Sequence, residues 1–491
     1  MSAPPLYMIG IDAAPLWLIK ELSESGSLRA FPKLLSGKCI TELRSTMPPM
    51  TGPAWPSIYT GKEPAEHGVP DFFIMKRDYT PELVYYDSKA YPPFWEILAE
   101  RGKKCLVITP ATDINLPSSS HVEMITGFPL KSRTNSSQLR RLMKEFKFYG
   151  EPDLEKPLKE GKITAKDAAA GFAECARKRR EIVMKALQAK QYDFTFVCFT
   201  ETDRIQHFVL NKKDRAEYLL PIYAEIDKLA QYFMNKADEE GAELILVSDH
   251  GAQPIKSKFL INAWLMSKGY LSIKGSAMKS AAAQSAGKGF RYNVREKLIK
   301  TNARKVYDRL PHAAKKAVSA SIGSMLPSAA VGEYTRMHLF DFDMRKTKAF
   351  AAISNLNVST IWINDGRFDS GVVTQSEKQF LKKKLSKELI EAKGADGKKV
   401  IKRVIDADLY YHGTGKFLAP DLFAEAVPGY SLDIFNFSPD RLFMPPEPPK
   451  SGDHTAMGIF GLYPRGQAKP DEVTEVKQMI LRHFSLKRQT V

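Results

Sequence analysis

Leu246-Val247-Ser248-Asp249-His250-Gly251 is the stretch on which the fold turns. Glu243 to Val247 reads as a buried strand that stops and presents an aspartate and a histidine side by side. Open α/β sheets place their ligands outside the carboxyl ends of the strands, and a strand ending in Asp-His-Gly delivers its side chains there. A hard carboxylate oxygen next to an imidazole nitrogen suits one divalent cation, or two neighbouring ones. Such a site needs further ligands from elsewhere in the chain.

Working outward, Leu6-Tyr7-Met8-Ile9-Gly10-Ile11-Asp12 is a short apolar strand ending in a carboxylate, and Ala13-Ala14-Pro15 opens a helix through about Glu24. Asp12 suits a helix cap or a ligand equally well. Phe194 to Phe199 is another core strand, and it empties into Thr200-Glu201-Thr202-Asp203-Arg204-Ile205-Gln206-His207. Asp203 and His207 are four apart, so one helical turn sets both on the same face. That spacing alone means little; directly after a core strand it reads as a metal-ligand pair. Ser451 to Gly458 reads as a glycine-bounded loop before a strand Ile459–Leu462, and its His454 would close the ligand set.

Thr51 lies in Pro48-Pro49-Met50-Thr51-Gly52-Pro53-Ala54-Trp55, where a short helix to about Tyr59 begins. A helix N-cap accounts for it. The same placement serves a nucleophile. Positive partial charge at a helix N-terminus favours a bound phosphoryl group, and metal coordination lowers the pKa of a hydroxyl. His67, in the turn-rich loop Thr60 to Gly68, reads as structural.

The 491 residues exceed one ordinary core, and no apolar run approaches the ~20 residues of a membrane helix. The start runs straight into a strand, with no basic region before an apolar core, so no signal peptide is expected. Cys39, Cys105, Cys175 and Cys198 are scattered in or near apolar segments and read as reduced, buried thiols of a cytoplasmic protein. The net charge of +17 is uneven: residues 261–339 hold 14 Lys and Arg against three acids (Glu296, Asp308 and Glu333). This basic stretch reads as a solvated helix face. Tyr292 to about Met325, a rough helical stripe broken by Pro311, reads as a cap over the active site, with a membrane-surface helix as the lesser alternative. Helices are also expected over about 136–146, 164–190, 215–235, 375–392 and 471–484, and strands over 104–109, 347–354, 358–364 and 421–427. Residues 113–162 otherwise read as loop-rich.

Asp12, Thr51, Asp203, His207, Asp249, His250 and His454 together supply two cation sites: Asp12, Thr51, Asp249 and His250 at one, Asp203, His207 and His454 at the other. Two cations ~4 Å apart suit an in-line displacement at phosphorus.

Taken as an ordered set, these motifs resemble the alkaline phosphatase superfamily, in its type I phosphodiesterase/nucleotide pyrophosphatase branch. The carrying pieces are Ile9-Gly10-Ile11-Asp12, Pro48 to Trp55 with Thr60-Gly61 and His67-Gly68, Glu201-Thr202-Asp203 with His207, Ser248-Asp249-His250-Gly251, and His454 with Gly458. Segments from Lys346 to Arg367 and from Gly415 to Asp421 are similar to a bacterial and archaeal subgroup of phosphohydrolases or phosphomutases. The resemblance implies a three-layer α/β sandwich with a mostly parallel central sheet, spanning 1–262 and 342–491; it is weakest at 113–162 and 270–340, and 263–341 is read from its charge and pattern as a basic helical cap insertion. It implies a phospho-threonine intermediate on Thr51, a phosphoryl contact from the Gly52 N–H, and two divalent cations, zinc first and manganese as the alternative. Where the branch usually carries an Asn after the His-Gly, this chain has Asp71-Phe72-Phe73. The expected substrate is a small anionic phosphoester rather than a nucleic-acid polymer. A phosphotransferase or phosphomutase using the same residues is the alternative within enzymes. A binding protein for anionic membranes or nucleic acid, with a vestigial site, is the alternative outside them.

Overall fold

The computed structural model describes residues 3–485 apart from 113, 129–130, 275–341, 354–355, 395, 412–417, 437–440, 447–449, 465 and 467–468. Seven strands form the central sheet, in the spatial order Ile40–Arg44, Met457–Tyr463, Glu243–Val247, Leu6–Ile11, Phe194–Phe199, Cys105–Ile108 and Val122–Ile125. Leu6–Ile11 runs parallel to both neighbours, with Gly10 opposite Val247 on one side and Cys198 on the other. Met457–Tyr463 runs antiparallel to both of its neighbours.

The sheet is covered on both faces, which is why its central strands are apolar without alternation. Leu6–Ile11 and Phe194–Phe199 are buried at every position. Tyr7, Ile9 and Ile11 pack into a core built with the helices Leu16–Ser23, Ala165–Ala189 and Arg215–Glu240. Leu6 and Met8 point the other way, toward Thr51–Thr60, Phe94–Glu100 and Val476–His483. The result is the expected three-layer α/β sandwich with a mostly parallel sheet.

Local signals place most elements where the sequence puts them. Thr164 and Asp167 form a reciprocal capping box at the start of Ala165–Ala189, and the Ser136 hydroxyl caps Ser137–Glu145. Arg215–Glu240 continues past the expected end near Asn235, because no breaker intervenes before Gly241, which ends it at φ +67°. The segment expected to be loop-rich contributes Val122–Ile125 as the outermost strand; it is only four residues long and follows a Ser-rich stretch.

A second, antiparallel sheet is ordered Ala349–Ala352, Val358–Ile363, Leu422–Ala426 and Ile401–Asp406, with its own core and the helix Gln375–Ile390 against it. Trp264, Leu265 and Tyr270 are buried in this core. The basic insertion expected over 263–341 lies, from 275 to 341, outside the described residues. The four cysteines are free and buried, as expected. Among the described residues no helix is long and apolar enough to cross a membrane.

The helix Glu201–Val209, which leaves the carboxyl end of Phe194–Phe199, is anchored by buried charge. Arg179, fully buried, donates to Glu201 Oε1 at 2.7 Å and to Glu151 Oε1 at 2.8 Å. Arg204 donates to Glu155 Oε1 at 2.6 Å. Removing one member of a buried ion network strands its partners. Arg179→Met is therefore expected to lower unfolding free energy by about 3–5 kcal/mol, read from urea denaturation at pH 7. A loss no larger than an exposed ion pair gives, about 1 kcal/mol or less, would show that the network carries no such weight.

Candidate active site

Three adjacent parallel strands end side by side and deliver their next residues to one place. Asp12 follows Leu6–Ile11, Asp249 and His250 follow Glu243–Val247, and Asp203 and His207 lie on one face of the helix after Phe194–Phe199. His454 comes from the far end of the chain. Its expected loop is a short strand, Gly452–Thr455, paired antiparallel with Gly251–Pro254 so that His454 sits opposite Ala252. Glycine permits the approach: a Cβ on Gly251 would lie 2.0 Å from Met457 O, and one on Gly452 would lie 2.4 Å from Gln206 O. Thr51 is the first residue of the helix Thr51–Thr60, and Met50, without a side-chain cap, takes the N-cap position. Thr51 and Gly52 thus present first-turn N–H groups, which helices leave without an intrahelical acceptor.

All seven expected residues converge. Thr51 Oγ1 lies 3.3 Å from Asp12 Oδ1 and 3.4 Å from His250 Nε2. His250 Nε2 is 3.2 Å from Asp249 Oδ2 and 3.5 Å from Asp12 Oδ1. Asp203 Oδ1 is 3.1 Å from His454 Nε2 and 3.4 Å from His207 Nε2, and the two Nε2 atoms are 3.1 Å apart. His250 stacks on His454 with ring centroids 4.0 Å apart and so stands between the two groups. The Asp203, His250 and His454 donors cluster closely, as do those of Asp12, Asp249 and His250. The cluster opens outward at Asp203 and His207, whose side chains are 15% and 24% exposed, against 0% for His250 and Asp249.

Each imidazole is oriented from behind. Nδ1 of His207 faces Gly452 O at 3.2 Å, that of His250 faces Gly251 O at 3.0 Å, and that of His454 faces Pro49 O at 3.1 Å. A carbonyl only accepts, so each Nδ1 carries a proton and Nε2 is the atom each ring turns inward. Metal-ligating histidines are held this way. The inward atoms are then imidazole Nε2 atoms and carboxylate oxygens, and Asp249 Oδ2 is buried with no hydrogen-bond partner. Such a donor set fits divalent cations.

The electrostatics agree. Burial, and then repulsion from Asp249 and Asp203, pushes Asp12 well above the ordinary carboxylate range. Burial likewise pushes Asp249 up, with Asp203 adding to the shift. Burial, and then His454, drives His250 well below the ordinary imidazole value. Burial opposes ionisation of Asp203, but His207 and His454 outweigh it and hold that group well below its usual range. The Asp12 and Asp249 side of the pocket is short of positive charge.

The chain matches the type I phosphodiesterase / nucleotide pyrophosphatase family over residues 6–432. It belongs to that family. The family is metal-dependent, its members act on phosphoester bonds, and its fold is that of the alkaline phosphatase superfamily. Two solved structures of phosphonoacetate hydrolase from Sinorhizobium meliloti 1021, one with phosphonoformate and one with phosphonoacetate, are each 12% identical to it. Each match covers 98% of this chain and 96% of that one, with a TM-score of 0.54, and shows a shared fold. Murine ectonucleotide pyrophosphatase / phosphodiesterase 5 is 13% identical over 98% of this chain and 95% of that one, with a TM-score of 0.45. No curated protein matches the chain in sequence.

In this type I phosphodiesterase family member, the sequence reading passes over two supports. Ser248 Oγ accepts from the Ala14 N–H at 2.8 Å and donates to His250 O at 2.6 Å. The Trp55 indole N–H donates to Asp12 Oδ2 at 3.2 Å. Both were legible as neighbours: Ser248 adjoins Asp249, and Trp55 stands one helical turn past Thr51.

His67, read as structural, is buried beside Ser57, with Nε2 2.9 Å from the Ser57 hydroxyl and Nδ1 accepting from the Val69 N–H at 3.3 Å. Burial lowers its pKa to about 3. The unfolded chain therefore binds a proton at this residue between about pH 6.5 and 3 that the native protein does not, and stability falls as pH drops through that window. Between pH 6.5 and 4.5 the wild type is expected to lose about 2–3 kcal/mol more than His67→Gln, compared by guanidinium denaturation. Parallel losses in the two proteins would show that His67 is not held neutral.

Proposed function

We propose that this family member is a two-cation phosphodiesterase or phosphohydrolase in which Thr51 is the nucleophile. Asp12, Thr51, Asp249 and His250 hold one cation, and Asp203, His207 and His454 hold the other. The observation that carries the reading is the set of three inward-facing imidazole Nε2 atoms set against three carboxylates and the Thr51 hydroxyl. When bound, the cations lower the pKa of the hydroxyl and of a water and neutralise developing charge on the phosphoryl oxygens. The donor mix of carboxylate and imidazole favours zinc, with manganese as the alternative.

Thr51 Oγ1 attacks phosphorus from the N-terminus of its helix, and the leaving alcohol departs, giving a phospho-threonine. The Gly52 N–H donates to a phosphoryl oxygen, where the helix terminus already favours negative charge. Water entering from the exposed side, past Asp203 and His207, then releases phosphate or a monoester and restores the threonine. The substrate is a small anionic phosphoester. Four buried, unbridged cysteines suit a reducing compartment such as the cytoplasm.

Purified protein is expected to carry close to two zinc or manganese ions by elemental analysis and to cleave a chromogenic phosphodiester or monoester. Thr51→Ala is expected to lower turnover by on the order of 10⁴-fold or more while retaining metal. Turnover that survives in Thr51→Ala would remove the nucleophile assignment. Turnover that survives exhaustive chelation would remove the cations.

A further inference from the structure

Trp55 is fully buried one helical turn beyond Thr51, with its ring centroid 5.8 Å from Tyr59 and 6.1 Å from Phe196. Gly10 makes room for it: a Cβ there would lie 2.6 Å from the indole Cη2. The indole N–H donates to Asp12 Oδ2 at 3.2 Å. The other oxygen, Oδ1, accepts from Thr51 Oγ1 at 3.3 Å and lies 3.5 Å from His250 Nε2. Packing alone does not demand such a bond, since the buried indoles of Trp95 and Trp362 leave their N–H groups unpaired. Asp249 is arranged in the same way: Oδ1 accepts from the Ala13 N–H at 3.2 Å, while Oδ2 faces the cluster with no hydrogen-bond partner. Each carboxylate gives one oxygen to a fixed N–H and turns the other inward.

An indole has a donor and no acceptor, so it neither ligates a cation nor takes a proton. It can hold one carboxylate oxygen away from the cation. We infer that Trp55 is a positioning residue for the cation site of Asp12, Thr51, Asp249 and His250: its N–H restricts Asp12 to ligation through Oδ1 and keeps that oxygen beside the Thr51 hydroxyl. The inference rests on the site assignment proposed above. A carboxylate released from the indole turns about its Cβ–Cγ bond and chelates through both oxygens, raising the coordination number and crowding Thr51 Oγ1.

The test uses the full chain loaded with Co²⁺, whose visible absorption weakens as coordination number rises. Trp55→Phe keeps an aromatic ring and removes the N–H. The visible band of one of the two cobalt ions is expected to weaken, and its affinity to change by about 10–100-fold, while the other ion is unchanged. Wild-type affinity for both ions together with an unaltered spectrum overturns the inference and leaves the site assignment intact. A wild-type protein that takes up no cobalt overturns both.

If Trp55→Phe does not fold, ¹⁵N-tryptophan-labelled Trp17→Phe protein, which lacks the indole bonded to Ala252 O, is titrated with Zn²⁺. An indole N–H resonance that moves in step with zinc uptake supports the inference. Resonances that all stay fixed while zinc binds overturn it.

Discussion

Three carboxylates crowd against three imidazoles in one buried pocket, where Asp12, Asp249 and Asp203 repel one another, and everything around them has to hold that crowding in place. Asp12, Asp203 and Asp249 stand among three histidines whose outer nitrogens are each committed to a backbone carbonyl. Free rings would turn away. Here the strand Gly251–Pro254, its partner Gly452–Thr455 and the Pro49 carbonyl remove that freedom. The arrangement stores unfavourable electrostatics that added positive charge relieves, which is the physical sense in which a metal site is preorganised.

Holding such a cluster requires stiff surroundings. Parallel neighbours ~4.8 Å apart bring the ends of Leu6–Ile11, Phe194–Phe199 and Glu243–Val247 together, and sheet hydrogen bonds fix their register. The helix Glu201–Val209 turns Asp203 and His207 toward the cluster and Glu201 and Arg204 toward the buried network around Arg179. One short helix thus carries ligands on one side and their anchor on the other.

The Thr51 loop is gripped from two directions. Trp55 and Tyr59 bind its helix into the core of the central sheet. Tyr411 donates to Met47 O at 3.1 Å, and Met47 packs with Val358, Ala407 and Phe423 of the antiparallel sheet and its connections. Phe72 approaches the helix start closely enough that a Cβ on Gly52 would lie 3.3 Å from its ring. The segment Asp71-Phe72-Phe73 therefore borders the Thr51 turn.

The central α/β layer and the seven polar residues that the fold gathers were legible in the order of the amino acids. Their signals are local: apolar runs that stop at Asp12, Thr200 and Ser248, a four-residue spacing between Asp203 and His207, and a capping box at Thr164. Folding was needed to put His454 on a paired strand, to bring Val122–Ile125 to the sheet edge, and to give the N-cap to Met50 rather than Thr51. It alone set Trp55 against one oxygen of Asp12 and Arg179 between two glutamates. These depend on contacts between residues far apart along the chain, whose partners no local pattern names. Propensity and periodicity record what a segment does with its own neighbours; pairing across the fold depends on which backbone has room to approach, as at Gly251 and Gly452.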